Sequence, residues 1–333
     1  MNDFLLPPLT RNTDGQERRV GFEIEYAGVD IDTSAAIVKQ IAGGRLERTN
    51  PFHYDLVDTA FGDFVIEIDA AILHEQAYEK YLTQAGIDLD SLDLRKPLEK
   101  LLRSLATIVV PHEIVTPPLP LSSMSLIDEI RAQLVASEAR GTSESLLYGF
   151  GVHINPELPA TDGDTLLAFM RAFGLLYDWI CKQSHIDWSR RIGPYIKPWP
   201  DEYLKLIMEP DYQPTRSALA DDYVGHIPSR NHALDMWPVL TYLEGDRLLV
   251  HCKEPGLIKP RPAFHYRLPN CLIGEPDWRI AHEWNYWITV ERLAADHSVL
   301  TELMQAWRKH EASWLDALLH SWPGIVDGHI PVP

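Results

Sequence analysis

Gly21-Phe22-Glu23-Ile24-Glu25-Tyr26 is the stretch on which the fold turns. Its apolar and acidic residues alternate. Successive side chains of a strand point to opposite faces, so Phe22, Ile24 and Tyr26 share one face and Glu23 and Glu25 the other. The strand rise sets the two carboxylates about 7 Å apart. Like charges at that spacing repel each other. They are tolerated on a solvated face, or where cations sit between them. Taken alone, the segment fits a half-exposed strand better than a ligand set. Its weight comes from recurrence.

Four more segments share the layout. Phe64, Ile66 and Ile68 alternate with Glu67 and Asp69, and His112 and Ile114 with Glu113 and Val115. Val152 and Ile154 alternate with His153 and Asn155, after a Gly149-Phe150-Gly151 turn. Phe264, Tyr266 and Leu268 alternate with His265 and Arg267. Together they describe a sheet whose apolar face packs on helices and whose other face carries Glu, Asp, His, Asn and Arg. Carboxylates suit hard divalent cations such as Mg²⁺, with phosphates completing the shell. Imidazole softens the set and admits Mn²⁺. Arginine supplies planar donors that grip phosphate.

Around these strands the pattern reads as helices and turns. Residues 1–17 form a polar, proline-bearing tail. Residues 33–41 read as a helix stopped by Gly43-Gly44. A turn at Gly62-Asp63 joins strands at 54–57 and 64–68. Helices are expected over residues 98–108, 125–140 and 165–183. Ser125 and Asp128 suit a cap for the second, and Gly141 a stop. Residues 186–277, rich in proline, offer only short elements. Two helices close the chain, over 278–296 and 298–320, the first with an Ile280, Trp284, Trp287 and Ile288 stripe that reads as core. No linker divides the chain, so residues 18–333 are expected to form one α+β domain.

Composition bounds the function. The 333 residues hold 48 aspartates and glutamates against 30 lysines and arginines, a net charge of −18. That excludes a general nucleic-acid binder, which needs a basic footprint. No run approaches the roughly 18 apolar residues of a membrane span, and Phe4-Leu5-Leu6, broken by two prolines, does not read as a signal peptide. The three cysteines make neither a disulfide framework nor a C-x-x-C zinc motif, and a reducing cytoplasm is the expected setting. No Gly-x-Ser-x-Gly elbow, Walker A loop or convincing Ser-His-Asp signature is present.

The order of the motifs carries a resemblance. Gly21-x-Glu23-x-Glu25 is followed by Asp69, by Glu113-Ile114-Val115-Thr116-Pro117-Pro118 and by Gly151-Val152-His153-Ile154. An Arg-Asn pair and a strand ending in Tyr266-Arg267 complete the series. Over roughly residues 17–295 this resembles the amidoligase family, which belongs to the carboxylate–amine ligases with the glutamine synthetase catalytic fold. The resemblance implies a curved antiparallel sheet with a polar metal- and nucleotide-binding face, ATP, and two Mg²⁺ or Mn²⁺ ions. It implies that Glu23 binds one metal and Glu25 its neighbour, with Glu113 a further ligand of the second. His153 would bind the first metal near the nucleotide phosphates. Asp69 would be another ligand or a substrate contact, and Arg267 would meet the transferring phosphoryl group. Arg230, Asn231 and Asn155 would contact nucleotide or phosphate, with Arg191 a weaker candidate. The family strand carries glutamate two positions before the arginine. Here that position is His265, a ligand better suited to Mn²⁺ or Zn²⁺ than to Mg²⁺.

What this implies is an ATP-dependent ligase that joins a carboxylate to an amine through an acyl phosphate, with an amino acid, a peptide or another small amine as substrate. Two rivals share the scaffold: a metal-dependent phosphotransferase, and a nucleotide-binding protein weakened by His265. Other tempting residues have plainer readings. Arg18-Arg19 reads as surface charge more readily than as a nucleotide contact, and Glu283 as a surface partner of Arg279 or Arg292. His112 reads as a satisfied polar group on the face opposite Glu113. His53, His226, His232 and His310 lack defensible ligand spacing. Tyr195 and Lys197 read as structural.

Overall fold

The computed structural model describes residues 4–68, 111–142, 150–186, 196–313 and 321–333. The expected helix at 98–108, together with Asp69, Arg191 and Tyr195, lies outside them. The protein is α+β, with open antiparallel sheet and helices. It forms two compact units interleaved in sequence. One comprises Gly21–Val152 and Asn270–Ile280, the other Met1–Val20, His153–Pro269 and Ala281–Pro333. Among the described residues no helix is long and apolar enough to cross a membrane.

The unit containing Gly21 is built on strands β1 (Arg19–Tyr26), β2 (Arg45–Asn50), β3 (His53–Val57), β4 (Phe64–Ile68), β5 (His112–Val115) and the short β6 (Leu119–Pro120). Five of them run in the order β2-β3-β4-β5-β1, with antiparallel neighbours. The alternation holds: Phe22, Ile24, Tyr26, Phe64, Ile66 and Ile114 are fully buried, while Glu23, Glu25, Glu67 and Glu113 are half-buried. Helix α1 (Ile31–Ala42) packs on β2, β3 and β4. Asp30 caps it by accepting from Thr33 N at 2.8 Å, and Gly43 ends it at φ 76°. Strand β2 escapes a pattern reading because its residues are almost all exposed and polar.

Helix α2 (Ser125–Ala136) stops four residues short of the expected end. Glu138 adopts a left-handed φ of 67°, and Arg140 is drawn into an antiparallel bridge with Ala27. The expected cap is also corrected. Met124 occupies the cap position without a side-chain bond, and Asp128 Oδ1 instead accepts from Ile280 N at 3.1 Å. Gly141 serves close approach rather than helix termination, since a Cβ there would lie 2.2 Å from Cys271 O.

The other unit is organised around α3 (Gly163–Gln183), capped by Asp162 and packed against α4 (Asp201–Ile207), α5 (Arg216–His226), α8 (His297–Ala312) and α9 (Trp322–Asp327). Strands β7 (Val152–Pro156), β8 (Leu234–Asp235) and β9 (His265–Tyr266) are ordered β7-β9-β8, and α6 (Trp237–Glu244) follows β8 directly. The stripe on α7 (Ile280–Ala295) is fully buried as expected. Trp287 meets Phe264 and Tyr266 at ring-centroid distances of 5.2 and 5.3 Å, and Phe264 stacks on Phe169 of α3 at 4.8 Å. Aromatic packing of this kind stabilises beyond the area it buries. It anchors Phe264 and Tyr266 toward the helices, so the alternate residues, His265 and Arg267, take the other face.

Three sequence expectations fail here. Arg18 is not surface charge: it is 1% exposed and grips Glu291 bidentately at 2.7 and 2.8 Å. It also donates to Glu157 O and Leu9 O. The segment before it is no loose tail, because Leu5 N donates to Asn285 Oδ1 and Trp284 Nε1 to Leu5 O, fastening it to α7. Glu283, expected on the helix surface, is 2% exposed.

Candidate metal and phosphate-binding residues

The carboxylates of the first unit form a row rather than a scatter. Register sets Glu25 opposite Glu113 across β1 and β5, and Glu113 opposite Glu67 across β5 and β4. His53 of β3 stands opposite Glu67. Like charges directly opposite on antiparallel strands destabilise a sheet. Glu25 and Glu113 nonetheless place carboxylate oxygens within 4.8 Å of each other. Glu25 Oε2 accepts from Gly151 N at 2.7 Å, which fixes that carboxylate in place. Glu23 lies two residues away on the same face, opposite Val115. Oxygen donors converging in this way are what a hard divalent cation needs.

Glu67, not singled out from sequence as a site residue, closes the row by accepting from the His53 ring at 2.9 Å. Burial works against a charge on His53. Its bonds to Asp55 and Glu67 outweigh that and hold its pKa above the ordinary value. His112 takes the face opposite Glu113 as expected, but it is not a satisfied group. It packs on the Tyr26 ring, its Nδ1 is buried with no hydrogen-bond partner among the described residues, and burial pushes its pKa down to about 4.

In the second unit the two candidate imidazole ligands come together. His153 and His265 meet edge to face, with ring centroids 5.3 Å apart and ring nitrogens within 4.8 Å. Both are buried. Imidazole pairs suit borderline transition metals better than Mg²⁺. His265 Nδ1 lies 3.0 Å from Asp235 Oδ2, a buried carboxylate that pattern reading passed over. The available signal was an acid between Leu234 and Met236, in a strand too short to show a period.

Arg267 joins the Arg-Asn pair. Its Nη1 donates to Arg230 O at 3.1 Å and to Asn231 Oδ1 at 3.4 Å, and its backbone N to Ala233 O at 2.8 Å. Arg230 in turn donates from Nη1 to Leu257 O. Arg267, Arg230 and Asn231 are therefore one group, lodged where the 229–233 turn runs beside β9. Asn155 is held elsewhere, accepting from Arg261 Nη2 at 2.9 Å. Arg261, between Pro260 and Pro262, was another residue passed over. Lys197 contributes backbone to a bridge with His232, in keeping with a structural part.

Residues 16–289 match the model of a family described as "Putative amidoligase enzyme". No curated protein matches the chain, and no solved structure does.

Proposed function

The chain belongs to the amidoligase family, and on that premise we propose that it is an ATP-dependent carboxylate–amine ligase that forms an amide or peptide bond through an acyl phosphate. Its substrates would be a carboxylate and an amine, drawn from amino acids, peptides or other small amines. The proposal includes a glutamine-synthetase-type catalytic fold and a single catalytic domain over residues 18–333.

The observation that carries this reading is the Glu25–Glu113 pair, two carboxylates held across neighbouring strands within 4.8 Å. An arrangement that costs repulsion is expected where a cation offsets it. Both kinds of donor fit divalent ions: the paired Glu25 and Glu113 offer hard oxygens, with Glu23 a further carboxylate on the same face, and His153 and His265 offer imidazole. Two bound cations would supply charge neutralisation to the phosphoryl group in transfer.

In the reaction, a substrate carboxylate oxygen attacks the γ-phosphorus of ATP and ADP leaves. The amine nitrogen then attacks the acyl carbon, phosphate departs with its bonding pair, and the nitrogen gives up a proton. No protein nucleophile is required. Arg267 would meet the charge on the transferring group, oriented by its bonds to Arg230 O and Asn231. Arg230, Asn231 and Asn155 would contact the nucleotide. Asp69 would serve as a further ligand or substrate contact, and Arg191 as a weaker phosphate contact.

The test is release of ADP and phosphate from panels of carboxylates and amines, with the product identified by mass. Both must be needed for turnover, and the product must be an amide; a phosphorylated product marks a phosphotransferase instead. Glu23→Gln with Glu25→Gln should abolish turnover. Undiminished turnover by that double variant would sink the metal assignment.

A further inference from the structure

We infer that Asp235 is a positioning residue, which orients His265 as a metal ligand through Nε2 and tilts the site toward Mn²⁺, Co²⁺ or Zn²⁺ over Mg²⁺. This rests on the metal-binding reading above and extends it to a residue and a preference.

The geometry begins with register. Asp235 of β8 stands directly opposite His265 of β9, and Oδ2 meets Nδ1 at 3.0 Å. Both residues are buried, Asp235 fully so. A buried carboxylate is costly unless its oxygens are bonded. Here Oδ1 accepts from Trp237 N at 3.0 Å, at the start of α6, while Oδ2 faces the imidazole. The carboxylate is therefore held from both sides. An ionised carboxylate only accepts, so the proton of a neutral His265 ring sits on Nδ1 and the lone pair on Nε2. Metal-ligating histidines commonly donate their other N–H to a carboxylate, which fixes tautomer and ring direction and raises ligand basicity. His153 brings a second ring nitrogen within 4.8 Å. Two imidazoles, one backed by a carboxylate, make a donor set for borderline ions.

The replacement of an expected glutamate by His265 comes with the partner that makes histidine a competent ligand. A glutamate at 265 would face Asp235 as a second buried carboxylate, at a cost in repulsion.

The experiment uses the full chain stripped of metal. Mn²⁺ is titrated by the loss of its free-ion electron paramagnetic resonance signal, with Mg²⁺ as competitor. Both His265→Ala and Asp235→Asn should weaken Mn²⁺ binding by 10- to 100-fold. In the His265→Glu protein the preference should shift toward Mg²⁺. Adding Asp235→Asn to that protein should change cation binding much less than it does in the parent, because no imidazole is left for Asp235 to orient. A purely structural Asp235 would weaken binding to the same extent in both backgrounds, and that result overturns the inference. If His265→Ala binds Mn²⁺ as tightly as the parent, the metal reading itself fails. If only Asp235→Asn is without effect, the reading stands and the positioning role falls. Long-range ¹H–¹⁵N correlation on the unsubstituted protein needs no variant: a His265 ring protonated only on Nε2 refutes the proposal directly.

Discussion

Glu113→Gln should change sign with the metal. Glu113 faces Glu25 with oxygens within 4.8 Å. At that separation two charges repel by about 3 kcal/mol at an effective dielectric of 20, and by about 1 kcal/mol in bulk water. Gln keeps the shape and removes the charge. In EDTA the variant should therefore be more stable than the parent, by about 1–3 kcal/mol. For a chain of this size that is a rise of a few degrees in melting midpoint. With Mn²⁺ at a hundredfold excess over its dissociation constant, the parent should gain about 2.7 kcal/mol by mass action, and the variant much less. The order of the two midpoints should thus reverse or close. Thermal melts by circular dichroism, in EDTA and in MnCl₂, measure both halves. Glu67→Gln is the control from the same row. Glu67 is bonded to His53, so neutralising it removes a favourable contact and should not stabilise in EDTA. The reasoning is refuted if Glu113→Gln melts lower than the parent in EDTA and then shows the same Mn²⁺-dependent rise.

Three further outcomes follow from the described contacts. Arg18→Met leaves Glu291 charged and buried beside Trp287, and should cost about 3–5 kcal/mol in urea unfolding. Adding Glu291→Leu should recover much of that loss, and failure to recover any would show that Arg18 acts other than through the pair. His112 is held neutral by burial, with its pKa down at about 4. Its contribution is thus complete above the unfolded value near 6.5 and is lost as pH falls toward 4, a span of roughly 3 kcal/mol. His112→Phe should flatten the stability profile across that window in melts from pH 7 to 4, and an unchanged profile would count against the buried histidine. Arg267→Lys should lower ligase kcat/KM at least a hundredfold while the melting midpoint moves little. A single ammonium cannot both hold the Arg230–Asn231 turn and present a planar set of donors.

What could be read from the sequence was whatever has a period. Phe22, Ile24 and Tyr26 against Glu23 and Glu25 declare a two-faced strand, and the Ile280–Ile288 stripe declares a buried helix face, because both signals repeat over several residues. Helix ends were less legible. The stop at Ala136 comes from Glu138 and from the Ala27–Arg140 bridge, a contact more than a hundred residues apart in sequence. Arg18 misled for a related reason. A charged pair before a strand looks solvated until its partner, Glu291, is known. The two compact units carry no signal of this kind, since the chain changes unit within β1, within β7, in the loop between β9 and α7, and at the start of α7.

Asp235 shows where pattern reading gives out and chemistry resumes. Its strand is two residues long and could not have been seen by alternation. Yet His265 itself posed the question, because a histidine ligand in a buried setting needs something to fix its second nitrogen. That demand specifies a carboxylate or carbonyl on the neighbouring strand, at a position directly opposite in register. The fold supplies it at 235, with the acid's other oxygen tied to the helix that follows. On the proposed reading, His265 is thereby one half of a pair. The Asp235→Asn and His265→Glu combinations therefore test the two residues as one unit.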